Sequence, residues 1–167
     1  MTNSHFKSVE SIKNIKAATM ALFLGMVFMS AQAQSDGKQP IAPPQYKQEC
    51  TACHIAYPPG MLPAASWQRM MGGLDKHFGV DASLDAASVT KIGDWLRVNA
   101  GTYKGVGTST PSQDRITTSS WFVRKHSEDI SAAVWKRPSI GSASNCAACH
   151  TRAAEGNFSE REIKIPK

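Results

Sequence analysis

The chain has no apolar run long enough to cross a bilayer. Its longest uncharged apolar stretch, Ala17 to Met29, spans thirteen residues, short of the ~20 a spanning helix needs. No basic cluster or nucleic-acid motif accompanies the +6 formal charge, so that charge does not point to DNA or RNA. Strand-length alternation is missing except around Ile163-Lys164-Ile165. A sheet-built domain is thereby excluded, and the expected class is all-α. Methionine is absent after Met71, and cysteine is absent outside two short pairs. What remains is an ordinary globular balance, with 41% hydrophobic and 19% charged among 167 residues, rather than a disordered one.

The N-terminus reads as a secretory signal peptide over residues 1–33. Lys7, Lys13 and Lys16 make a positive start, the apolar run follows, and Ala31-Gln32-Ala33 offers the small residues a signal peptidase accepts. Cleavage is expected after Ala33, giving a periplasmic protein with no membrane span in its mature part. That part has sixteen basic and twelve acidic residues, a net +4.

All four cysteines lie beyond this segment, in the runs Cys50-Thr51-Ala52-Cys53-His54 and Cys146-Ala147-Ala148-Cys149-His150. Two disulfides would leave both adjacent histidines unexplained. A zinc site of paired CxxC halves has them about 15–20 residues apart, whereas 92 residues separate Cys53 from Cys146. A thiol–disulfide exchanger needs a single CxxC in a βαβ setting. CxxCH instead fits covalent attachment of haem c. Two thioethers meet the two vinyl groups on one porphyrin edge, and a helical turn carries the next side chain, histidine, under the iron. Two such runs imply two covalently bound haem c groups held by Cys50, Cys53, Cys146 and Cys149, with His54 and His150 as iron ligands.

Of the five histidines, His5 lies in the signal segment, leaving His77 and His126 for the two remaining axial positions. Methionine is the usual rival on the distal side. Met70 and Met71 are the alternatives for the first haem, while the C-terminal half has none. Chain order pairs His77 with His54 and His126 with His150; a swap between the haems stays open at this level.

The organisation follows from helix and turn signals. Pro40, Pro43 and Pro44 mark an extended lead-in, and a short helix is expected over Tyr46–Ile55, stopped by Pro58-Pro59-Gly60. A second helix is expected from Pro63 or Ser66 to Phe78, placing His77 on one face with Trp67, Met70 and Leu74 and ending at Gly79. A third runs from Ser83 or Asp85 to Ala100, stopped by Gly101. This order of haem motif, distal candidate and closing helix resembles the layout of a small class I cytochrome c. The Gly/Ser/Thr-rich stretch Gly101–Asp114 is a candidate linker or surface loop. A helix capped at Ser119 or Ser120 is expected to carry Phe122 and His126, four apart and so on one face. The expected division is therefore an N-terminal haem c unit at 34–105 and a C-terminal one at 106–167.

The stretch Glu49-Cys50 through His54-Ile55-Ala56-Tyr57-Pro58-Pro59-Gly60-Met61-Leu62-Pro63 resembles the bacterial dihaem cytochrome c family. So do Ser66-Trp67, His77-Phe78-Gly79, Arg115-Ile116-Thr117, Trp121-Phe122, His126 and Asn145-Cys146 through His150. The resemblance implies a periplasmic electron carrier with two bis-histidine haems. It also implies redox partner proteins, either a membrane-bound b-type cytochrome or a small oxygen-binding haem protein. Two closed irons would leave only outer-sphere electron transfer and no catalytic residues. The rival readings are a dihaem peroxidase or oxidase with one open iron, and a gas or redox sensor with a displaceable histidine.

A half-chain of about 70 residues is marginal as a hydrophobic core without help, and the porphyrins supply the missing apolar surface. Apoprotein made by replacing the four cysteines with alanine is therefore expected to lack cooperative tertiary structure. Calorimetry checks this: a sharp thermal transition in haem-free protein contradicts it.

Overall fold

The computed structural model describes residues 39–167; the expected signal segment, 1–33, lies outside them. Lys38–Lys167 form one compact unit. Its helices are α1 (Pro44–Cys50), α2 (Ala64–Met71), α3 (Ala86–Asn99), α4 (Ser120–Ser127) and α5 (Ala132–Trp135), joined by loops and short 3-10 turns. No strand occurs among the described residues, only the single bridges His77 to Val80 and His150 to Ile163. The chain is all-α. No helix in the described part is long and apolar enough to cross a membrane.

Local chemistry explains the helix ends. Pro44 opens α1, where a missing N–H costs nothing. The helix stops at Cys50, where the Thr51 hydroxyl turns back to the Lys47 carbonyl at 2.8 Å. The expected helix over Tyr46–Ile55 is thus earlier and shorter, and Thr51–Cys53 lie in the turn beyond it. Asp85 caps α3, its carboxylate accepting from the Ala87 and Ser88 amides at 3.0 Å each. Gly101, at φ +68, follows the end of that helix, as the stop signal requires.

The second helix departs further from expectation. It ends at Met71 and not at Phe78, because Gly72-Gly73 follows. Each glycine costs about 1 kcal/mol against alanine inside a helix, and two in succession outweigh the periodic apolar pattern. The chain re-forms a 3-10 turn at Leu74–Lys76 and reaches His77 in an extended conformation.

The core lies where α1, α2 and α3 meet: Tyr46, Leu62, Trp67, Ile92 and Leu96 are buried together, with Met70, Met71 and Trp95 packed against them. Its two polar tips are satisfied. The Trp67 indole donates to the Pro59 carbonyl at 2.7 Å and the Tyr46 hydroxyl to the Tyr57 carbonyl at 2.6 Å. Later chain closes over this core. The Trp121 indole donates to the Met61 carbonyl at 3.1 Å, and Tyr103 N–H to the Gly60 carbonyl at 3.2 Å. Gly60 is needed there, since a Cβ would collide with Thr102 Oγ1 and lie 2.8 Å from the Tyr103 ring. Beyond residue 120 buried apolar residues are sparse, namely Phe122, Ile140 and Ala153.

Ile92 is fully buried. Ile92→Ala should therefore lower unfolding free energy by about 2–5 kcal/mol, measured by denaturant titration of the holoprotein.

Candidate haem sites

The residues of the first run are set by the end of α1. Cys50 closes that helix, Cys53 follows in the turn, and His54 projects beyond it with Nδ1 2.7 Å from the Ile55 carbonyl. His77 is delivered by a different device from the helical face expected for it. Val80 N–H donates back to the His77 carbonyl at 3.0 Å, closing a two-residue turn with Phe78 at φ +49 and Gly79 at φ +96. Glycine takes that conformation freely, whereas a phenylalanine there is uncommon. The Arg115 guanidinium lies over the Phe78 ring, 4.2 Å from its centre. The turn brings the His77 ring to 6.1 Å from His54, centroid to centroid, with planes 33° apart. Met70 and Met71 pack against the α1–α3 core.

The second site is assembled from the chain's other end. Cys146–Ala148 form a 3-10 turn, and His150 N–H donates to the Cys146 carbonyl at 2.8 Å. Lys164 N–H pairs with the Cys149 carbonyl at 3.0 Å, so the C-terminal segment lies beside the motif. His126 sits near the end of α4, its ring stacked on Phe122 at 3.9 Å. Its Nδ1 lies 2.8 Å from the Phe122 carbonyl. With Nδ1 as donor, Nε2 keeps the free lone pair. The His126 and His150 centroids are 6.3 Å apart. Phe158 flanks His150 at 5.3 Å and Trp135 flanks His126 at 5.9 Å.

The electrostatics favour a neutral imidazole at His77 and at His150. Burial, then the neighbouring His54 and Arg115, hold the His77 pKa below its usual value; burial and His126 do the same for His150. Neutral imidazole is the form that binds a metal. His150 Nδ1 is buried without a hydrogen-bond partner. Burial pushes the Cys50 thiol up to about 11, with Glu49 adding to it, and raises Cys146 and Cys149. Protonated thiols are poor nucleophiles for disulfide exchange.

These pairs fit a haem. A ring nitrogen lies about 1.2 Å from its imidazole centroid and a metal–imidazole bond is about 2 Å, so two trans histidines sit about 6.4 Å apart. Both observed separations match. Among the described residues no third His, Cys, Asp or Glu joins either pair as a metal cluster.

The model of the family described as dihaem cytochrome c matches residues 46–158. The chain belongs to the dihaem cytochrome c family. It is similar to the diheme cytochrome c from Rhodobacter sphaeroides, with 43% identity over 72% of this chain and 100% of that one, at TM-score 0.63. It is also similar to the diheme cytochrome type c from Shewanella baltica OS155, with 35% identity, coverage of 75% and 95%, and TM-score 0.64. No curated protein sequence matches. As a member of this family the dihaem cytochrome c binds two covalent haem c groups and is a haem electron carrier.

Several residues around the sites escape sequence reasoning. Gly72-Gly73 is legible as a helix stop, and it moves His77 off α2. Phe158 carries no local signal, because it approaches His150 only through the fold of the C-terminal segment. Arg115 depends on a clamp: Arg69 donates to the Asp114 carboxylate from Nε at 2.9 Å and Nη2 at 2.6 Å. That clamp holds Gln113 and Asp114 at φ +54 each.

Arg69 keeps the Asp114 carboxyl below its usual pKa. A depressed carboxylate adds stability above its unfolded pKa, about 3.9, and loses it as pH falls through the folded value. Asp114→Asn should therefore be less stable than the parent at pH 7, and the difference should shrink at lower pH. Denaturant midpoints measured across that range check it.

Proposed function

We propose that this cytochrome carries electrons in the periplasm by outer-sphere transfer, with both irons six-coordinate. Cys50 and Cys53 hold one haem between His54 and His77; Cys146 and Cys149 hold the other between His150 and His126. The first belongs to the 34–105 segment and the second to 106–167, after a signal peptide is removed behind Ala33. The observation that carries the reading is the pair of centroid separations, 6.1 and 6.3 Å.

Each haem, when bound, supplies a one-electron ferric/ferrous couple. The protein's part is to close the axial positions and to keep the ligands still. The Phe122 carbonyl orients His126 and raises its donor strength. Phe122 and Phe158 cover the second pair of rings. Two imidazoles donate more strongly than imidazole with a thioether, so both potentials should lie below those of His/Met cytochromes. With no vacant position, the substrate chemistry of a peroxidase, or the gas binding of a sensor, has no place to begin.

The partners on this reading are redox proteins, a membrane b-type cytochrome or a small haem protein. Residues 106–167 have nine basic and six acidic side chains, against seven and six in 34–105. An acidic partner is therefore drawn first to the C-terminal half.

The deciding experiment is the optical spectrum of the oxidised and reduced holoprotein, with and without carbon monoxide. Low-spin spectra indifferent to carbon monoxide are expected for the parent. His126→Ala should make about half of the haem responsive. A response from half the haem in the parent itself would overturn the electron-carrier reading in favour of an open site.

A further inference from the structure

Tyr57 links the two ends of the molecule that matter most. Its backbone is immobilised: its carbonyl accepts the hydrogen bond from buried Tyr46, and Pro58-Pro59 restricts the chain immediately after it. From that base its ring lies 5.0 Å from the His54 ring, with planes 33° apart. Its hydroxyl donates to the Ser144 carbonyl at 3.2 Å, across 87 positions of sequence. Ser144 stands two residues before Cys146.

The receiving end is also anchored. The Asn145 side-chain amide donates to the Ile140 carbonyl at 3.0 Å, and Ile140 is buried to 2% exposure. Asn145 N–H donates to the Ser142 carbonyl at 3.1 Å. One side chain therefore touches the iron-binding histidine of the first site and bonds the segment leading into the second CxxCH run.

We infer that Tyr57 is a positioning residue that couples the two haem sites: its ring sets the His54 plane, and its hydroxyl holds the second attachment segment at a fixed distance. This rests on the two-site reading above and deepens it. Two charged redox centres repel more strongly the closer they are held. Gain of an electron at one is then felt at the other through the spacing that Tyr57 maintains. A tyrosine suits the task because it combines a rigid flat ring with a polar tip; phenylalanine keeps the ring alone, and leucine has neither.

The test compares parent, Tyr57→Phe, Tyr57→Leu and Tyr103→Phe holoproteins. Tyr103 serves as control, since its hydroxyl pairs with Gln39 at 2.7 Å. Ferric electron paramagnetic resonance reports the orientation of each iron's imidazoles, and spectroelectrochemical titration reports the two midpoints. Tyr57→Phe should leave both resonance signals in place and draw the two midpoints closer together. Tyr57→Leu should do the same to the midpoints and also shift the low-field line of one haem, not the other. Tyr103→Phe should change neither. An unchanged midpoint spacing in Tyr57→Phe, with both haems attached, would overturn the coupling role. If Tyr57→Leu loses a haem, Tyr57→Phe still decides. Failure of the closed-iron reading shows separately, as carbon monoxide binding by the parent, while the midpoint spacing stays measurable.

Discussion

Pairs of imidazole rings held about 6 Å apart, the spacing that the proposed ligation of one iron by two nitrogens asks for, are the constraint on which this structure turns. The demand occurs twice, with centroids at 6.1 and 6.3 Å, and the two solutions share almost no local structure. One places its distal ring on a strained two-residue turn behind α2. The other places it on the last turn of α4. On the proposed ligation a covalent haem tolerates this variety, because CxxCH fixes only one side and any rigid element that brings an imidazole to the right depth serves opposite it.

The rest of the fold can be understood as support for those rings. The Tyr46–Leu96 core holds α1, α2 and α3 together and fixes the ends from which Cys50 and His77 depart. The Arg69–Asp114 fork pins a segment with two successive positive φ angles, an arrangement costing about 1–3 kcal/mol per residue, and thereby sets Arg115 over Phe78. In the C-terminal half few side chains are buried, and aromatic rings gather round the histidines: Phe122 and Trp135 beside His126, Phe158 beside His150. That distribution is what a short chain arranges when its cofactor supplies part of its core.

Legibility differed from element to element for identifiable reasons. Helix α3 could be read almost to the residue, since Asp85 and Gly101 are strong local start and stop signals flanking an apolar stripe. The end of α2 could not be read from periodicity, because the pattern Trp67, Met70, Leu74, Phe78 continues past a Gly72-Gly73 break that backbone entropy enforces. His77 was therefore expected on a helical face and stands on a turn. The first haem run was expected within a helix and lies mostly beyond one, where Thr51 competes for the Lys47 carbonyl.

By itself the sequence determined the chemistry. Two CxxCH runs and a histidine supply with no methionine in the C-terminal half limit what can be attached and what can ligate, because covalent attachment is a matter of short-range spacing. The all-α class was equally local, resting on periodicity and the lack of alternation. The tertiary structure alone decided which rings lie near each other, how Phe158 and Arg115 reach the sites, and that Tyr57 meets Ser144 across the molecule. Those contacts join residues far apart in the chain. Their geometry is set by the packing of the α1–α3 core and the closure of the later segments over it, not by the identity of neighbouring residues.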